Sequence, residues 1–129
     1  DGHVILRGGT QPNYDSVNVS ICEQELEKHS LSPSLVIDCS HSNSSKDYRR
    51  QPLVADNVFN QIVDGNKSII GIMLESHLQA GNQSADLPKN ELAYGVSVTD
   101  ACIDLETTKS LIASADDKLR QVLRDRLAN

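Results

Sequence analysis

The 129-residue sequence predicts an α/β fold of four βα units, half of a (β/α)8 TIM barrel. Three observations carry this. Apolar runs at His3-Val4-Ile5-Leu6, Leu35-Val36-Ile37 and Ile69-Ile70-Gly71-Ile72-Met73-Leu74 lead into Arg7, His41 and Glu75 at a constant interval of 34 residues (41 − 7 and 75 − 41). A fourth run, Val96-Ser97-Val98-Thr99, ends on Asp100 after a further 25 residues (100 − 75). A strand and its returning helix take roughly 30 residues or more, so each interval holds one unit. In parallel strands the four polar residues converge at the carboxyl ends, where barrels keep their chemistry.

The elements follow in order. Gly8-Gly9 and a turn through Pro12 and Asn13 lead to a helix expected over residues 16–29, with Val19, Cys22 and Leu26 on one face. Residues 30–33 break it. The second strand, residues 34–40, has the near-continuous apolar centre of a parallel strand buried on both faces. After a polar loop, Val54, Val58 and Ile62 mark a helix over residues 52–64, with Gly65 placed as its C-terminal glycine. The third strand covers residues 68–74, and a long connection rich in Gly, Asn and Gln, with Pro88, runs to Tyr94. The fourth strand, residues 95–99, precedes a helix over residues 106–127, capped by Thr107 or a neighbour, with a stripe of Leu111, Ala115, Leu119, Val122 and Leu123. A 34-residue period also belongs to tetratricopeptide arrays. The Val/Ile runs and the missing Trp-Leu-Gly-Tyr signature argue against that reading.

Four units are half of eight, and a complete barrel is typically about 250 residues. The chain opens without Met and enters a strand almost at once, so it is expected to be part of something longer, with open strand edges that another half, a second copy or a different closure must cover. A net charge of −6 with no basic stripe argues against a nucleic-acid partner. No apolar stretch approaches the roughly 18 residues of a membrane span, and no signal peptide is recognisable. Cys22, Cys39 and Cys102, an odd number at irregular spacing, suit reduced thiols. The expected compartment is the cytoplasm, where the Asn-x-Ser sequons at Asn18, Asn43, Asn66 and Asn82 are chance.

His41, Glu75 and Asp100 form a mixed nitrogen and oxygen set suited to Mn, Fe, Co or Zn as a divalent metal. A carboxylate ending an apolar strand is costly unless paired or metal-bound. The competing reading makes His41 a helix-capping or core histidine and Glu75 a buried ion-pair partner. Arg7 suits a carboxylate or phosphate, beside glycines that let a ligand approach the backbone. Its alternative is a structural salt bridge to Glu75 or Asp100.

The words around these residues add a resemblance. Gly2-His3-Val4-Ile5-Leu6-Arg7-Gly8-Gly9 with Pro12-Asn13-Tyr14, then Ile37-Asp38-Cys39-Ser40-His41 with Asn43-Ser44-Ser45-Lys46, resemble stretches of the type I 3-deoxy-D-arabino-heptulosonate 7-phosphate (DAHP) synthases. Glu75-Ser76-His77-Leu78 with Gly81-Asn82-Gln83, and Tyr94-Gly95 with Thr99-Asp100-Ala101-Cys102-Ile103, continue it in order. It covers the C-terminal half of such an enzyme, the fifth to eighth βα units. Ser42 departs from a common Ala, and Asp104-Leu105 from a usual Gly-Trp, where Leu105 can alter packing beneath Asp100; the final helix diverges freely.

The resemblance implies a metal-dependent condensation of phosphoenolpyruvate with erythrose 4-phosphate, the first step of the shikimate pathway. It implies His41, Glu75 and Asp100 as metal ligands, with a fourth, a cysteine, in the absent N-terminal half of the same barrel. Arg7 is implied at the phosphoenolpyruvate carboxylate; substrate contacts come from Arg7, His41 and Asp100, with catalytic roles for His41 and Arg7. Lys46 and His77 are expected in supporting or structural roles, Asn82 and Gln83 as loop-ordering residues, and the three cysteines as structural. A homo-oligomer is expected, and the fragment alone is expected to be inactive. Two other readings stand beside this: a non-catalytic metal-binding half-barrel that self-associates, and a related enzyme making an eight- or nine-carbon sugar acid.

Overall fold

The computed structural model describes residues 2–128. Its elements are β1 (Val4–Leu6), α1 (Ser16–Lys28), β2 (Leu35–Asp38), α2 (Gln51–Val63), β3 (Ile69–Met73) and α3 (Leu105–Ala128), with two short 3-10 turns, His41–Ser44 and Tyr48–Arg50, between β2 and α2. The strands form one parallel sheet in the order β1-β2-β3. Val4 pairs with Leu35 and Leu6 with Ile37; Leu35 pairs with Ile69 and Ile37 with Ile72. The register shifts between Leu35 and Val36, which leaves Ile70 opposite no partner.

Alternation along the strands decides the layers. Leu6, Leu35, Ile37 and Ile69 point into one buried cluster with Val19 of α1, Val54, Ala55, Val58, Phe59 and Ile62 of α2, and Leu111 and Leu119 of α3. Ile5, Ile70 and Met73 are exposed. In the central strand β2, Leu35, Ile37 and Asp38 are buried and Val36 is half-buried.

The helix ends are set by side chains. Asp15 caps α1, its carboxylate accepting from the Val17 and Asn18 amides at 3.1 Å each. Gly65, at φ +108°, and Asn66 close α2 by donating to the carbonyls of Ile62 and Gln61, a Schellman closure. Ser30 does the same for α1 at φ 57°, without being glycine. Asp104 caps α3, accepting from the Thr107 amide at 2.7 Å.

Two expectations are corrected. The fourth strand, residues 95–99, does not form; among the described residues the sheet has three strands, and β3 is followed by no helix before α3. Instead residues 76–103 hold themselves by isolated bridges, Ser76 with Ile103, Gly81 with Cys102 and Asn82 with Ser97. Side chains supply the missing ladder. Gln83 bonds the main chain of Ala93 and Val96, and Asn82 bonds the Thr99 carbonyl. Side-chain bonds of this kind occupy main-chain groups that strand pairing would use. Leu123, expected in the buried stripe of the last helix, is exposed, whereas Leu111 and Leu119 are buried where α3 packs on α2. No helix among the described residues is long and apolar enough to cross a membrane.

Candidate metal centre

β2 ends on Asp38, whose side chain is 4% exposed. One carboxylate oxygen accepts from the Ser40 amide and hydroxyl at 2.8 and 2.7 Å. The other lies 2.7 Å from His41 Nδ1, and the Ser40 hydroxyl is 2.8 Å from the same nitrogen. His41 sits at φ 49°, a left-handed conformation uncommon for a residue with a side chain. That strain is held by the buried Asn43, whose amide donates to the carbonyls of Leu6 at 3.0 Å and Asp38 at 2.8 Å. With Nδ1 engaged, His41 Nε2 faces Glu75 Oε1 at 3.5 Å and Asp100 Oδ2 at 3.9 Å.

One ligand atom from each of His41, Glu75 and Asp100 lies within 4.8 Å of the others. Burial is the main force raising the Glu75 carboxyl above its ordinary pKa; the Asp100 charge adds to it and His41 opposes it. Asp38, Glu75 and Asp100 thus surround a single imidazole, an excess of negative charge that a cation would balance. The nitrogen and carboxylate donors, with a carboxylate fixing the far side of the ring, are those of a divalent-metal site. A cleft of about 140 Å³ opens beside them, lined by Ser44, Lys46, Tyr48 and Gln51 among others.

Arg7 is not brought into this group. It follows β1, is exposed, and lies outside the cleft lining. It acts on Glu75 only through space, as the weakest of the influences on that carboxyl. The adjacent glycine has a packing task. Gly8, at φ +78°, is filled on its Cβ side, where a Cβ would lie 2.6 Å from Ser42 Cβ, whereas Gly9 has open space there. Gly8 lets the loop after β1 press against the turn that carries His41. Lys46 is exposed at the cleft edge, at φ 59°. His77 is exposed and bonded through Nδ1 to the Gly95 carbonyl.

Three residues escaped the sequence reading. Asp38 carried a usable signal, a carboxylate inside a buried apolar strand. Gln51 carried none, and Asn43 little, because Gln51's partner and two of Asn43's three partners are distant in sequence. The cysteines are free thiols. Burial pushes the Cys39 thiol up to about 12 and raises those of Cys22 and Cys102.

His41 and Glu75 follow the ends of parallel strands and Asp100 joins them from the loop before α3, an arrangement like that at the carboxyl ends of strands in α/β barrels. The chain belongs to the DAHP synthetase I family, whose model matches residues 1–113. It is 57% identical over 128 residues to the Tyr-sensitive phospho-2-dehydro-3-deoxyheptonate aldolase of Enterobacter agglomerans, covering 99% of this chain and 60% of that one. To the Tyr-sensitive enzyme of Escherichia coli K12 it is 56% identical over 128 residues, covering 99% and 36%. To the Phe-sensitive enzyme of that organism it is 48% identical over 112 residues, covering 87% and 32%. The solved structure of phospho-2-dehydro-3-deoxyheptonate aldolase from Francisella tularensis SCHU S4 matches with a TM-score of 0.86 and 41% identity, over 92% of this chain and 34% of that one. The chain therefore spans between about a third and 60% of the length of these relatives.

Proposed function

We propose that residues 1–129 form the C-terminal half of a (β/α)8 barrel that condenses phosphoenolpyruvate with erythrose 4-phosphate to DAHP and phosphate. The observation that carries this is the convergence of His41, Glu75 and Asp100 within 4.8 Å, in a chain of this family. In this reading residues 95–103 take the place of the last strand, and the parallel bridge nearest β3, Ser76 with Ile103, extends into a ladder when the other half closes the sheet. The identities of 56% and 48% to the two Escherichia coli enzymes favour the tyrosine-sensitive type.

His41, Glu75 and Asp100 would hold the divalent metal, Mn, Fe, Co or Zn. When bound, the ion supplies Lewis-acid polarisation of the aldehyde carbonyl. Asp38 keeps the proton of His41 on Nδ1 and leaves Nε2 as the donor atom, as in carboxylate–histidine–metal arrangements. Arg7, exposed after β1, would hold the phosphoenolpyruvate carboxylate, the role the family resemblance implies. His41 and Asp100 border the substrate. The methylene carbon of phosphoenolpyruvate bonds to the aldehyde carbon, water adds at the second carbon, and phosphate leaves. The remaining cationic groups for two anionic substrates come from the N-terminal half, since this chain carries a net charge of −6.

The test is loss of phosphoenolpyruvate with erythrose 4-phosphate and Mn²⁺, for this chain alone and after mixing with the N-terminal part of the Escherichia coli Tyr-sensitive relative. Turnover in the mixture alone, abolished by His41→Ala, supports the proposal. A mixture that assembles but stays inactive refutes it.

One observation favours a second reading, a non-catalytic metal-binding half-barrel that self-associates. Ile5, Ile70 and Met73 are exposed on strands of the sheet, and a second copy would bury them. Its signature is a particle near twice the 14.1 kDa monomer mass, still inactive when mixed.

A further inference from the structure

Gln51 is among the most completely buried side chains, at 0% exposure. A long neutral amide is a surface residue in most proteins, so its burial needs a partner. It has one. Gln51 Nε2 donates to the Glu75 carbonyl at 3.0 Å, and Gln51 Oε1 accepts from the Glu75 amide at 2.8 Å. The side chain thus makes both bonds that a neighbouring strand would make to that residue, two positions past the end of β3. The Glu75 carbonyl also accepts from the Ile103 amide at 3.0 Å. Glu75 is therefore gripped from one side by the first residue of α2 and from the other by the segment leading to α3.

We infer that Gln51 is a positioning residue for Glu75: its amide clamps the Glu75 main chain and so fixes where the carboxylate meets His41 and Asp100. The consequence for metal binding rests on the metal reading proposed above; the clamp itself does not. Gln51 works on Glu75 much as Asp38 works on the His41 ring. Its placement at the start of α2 also couples Glu75 to the helix that α3 packs against, so a shift of α2 carries the carboxylate with it.

The experiment compares the protein with Gln51→Met, which fills a similar volume but offers neither a donor nor a comparable acceptor. Amide hydrogen exchange by NMR is read at Glu75 and along β3, and the Mn²⁺ dissociation constant is read by electron paramagnetic resonance. We expect at least about tenfold faster exchange at Glu75, with β3 protected as before, and Mn²⁺ binding weakened about 10–100-fold, the range for partners that orient metal ligands. A general structural role would instead loosen β3 evenly and lower the melting temperature without singling out Glu75. Unchanged Glu75 exchange in a folded Gln51→Met protein overturns the inference, and so does even loosening of β3. If the unsubstituted protein binds no Mn²⁺, the metal reading fails and the Glu75 exchange alone decides the clamp. Gln51→Asn, one methylene too short to make both bonds, gives the same readouts should Gln51→Met not fold.

Discussion

Replacing Asn43 with alanine removes the tie between the carboxyl ends of two strands. The Asn43 side chain makes three hydrogen bonds, donating to Leu6 O at 3.0 Å and Asp38 O at 2.8 Å and accepting from the Asn13 amide at 2.8 Å. Asn43 is 3% exposed, so water replaces these partners poorly. At about 1 kcal/mol net for each bond, with more for a buried group left unpaired, Asn43→Ala should cost about 3–4 kcal/mol. That is a large share of the roughly 5–15 kcal/mol that holds a domain folded. Urea titration followed by circular dichroism measures it. With a slope of about 2 kcal/mol per molar, the midpoint should fall by about 1.5–2 M. A loss below about 1 kcal/mol would refute the tie, showing that the strand ends are held by the sheet alone. The same burial shuts Asn43 to glycosylation, although it opens an Asn-x-Ser sequon.

Ser30→Gly should stabilise the protein by about 0.5–1 kcal/mol, measured by the same titration. The substitution relieves a left-handed serine, worth about 1–3 kcal/mol, against the added unfolded-state freedom of glycine. Asp15→Ala should cost about 1 kcal/mol at neutral pH through loss of the α1 cap, with a pH dependence whose sign is fixed. The Asn18 side chain is the main cause holding the Asp15 carboxyl below its ordinary pKa. Its contribution is therefore full above the unfolded value of about 3.9 and disappears as pH falls through the lower folded value. The gap between the two proteins should close in that acid range, read from melting temperatures at each pH. On the proposed metal reading, Asp38→Asn should weaken Mn²⁺ binding about 10–100-fold with unchanged circular dichroism. An amide nitrogen facing Nδ1 favours the tautomer with its proton on Nε2, the atom needed for the metal.

Three strands, three helices and the meeting of His41, Glu75 and Asp100 were legible because each rests on a pattern local in sequence. Apolar runs of β-branched residues sit in the strands, and the polar residue after each run falls at the carboxyl end. Gly65 was legible as a helix stop for the same reason. The fourth strand was not. Val96 and Val98 alternate with Ser97 and Thr99 as a strand would, but the Thr99 amide donates to Ser97 Oγ at 3.1 Å, and Asn82 and Gln83 take up nearby carbonyls. The Asn82 and Gln83 bonds depend on a loop folding back over 13 to 17 positions, which no periodicity reveals. Gly8 meets Ser42 across the fold, a close approach that no local pattern in the sequence reveals. Gln51 lies 24 positions from Glu75, so its part in the site belongs to the tertiary fold.

The three proposed ligands are not equally prepared, and this orders their response to substitution. His41 is held by Asp38 and Ser40, and Glu75 is bonded by Gln51 and Ile103. Their side chains are 30% and 28% exposed. Asp100 comes from the irregular stretch and its side chain is 71% exposed. A ligand in water must lose more rotamer freedom when it coordinates, so it adds less to affinity than a fixed one. In this chain alone, Asp100→Asn should therefore weaken Mn²⁺ binding less than His41→Ala does, with both measured by electron paramagnetic resonance. On the proposed barrel reading, pairing of residues 95–103 with the other half would fix Asp100 too, and the two losses should draw together. Equal losses in the chain alone would mean that residues 95–103 hold Asp100 as firmly as the sheet holds His41, against their side-chain-bonded geometry.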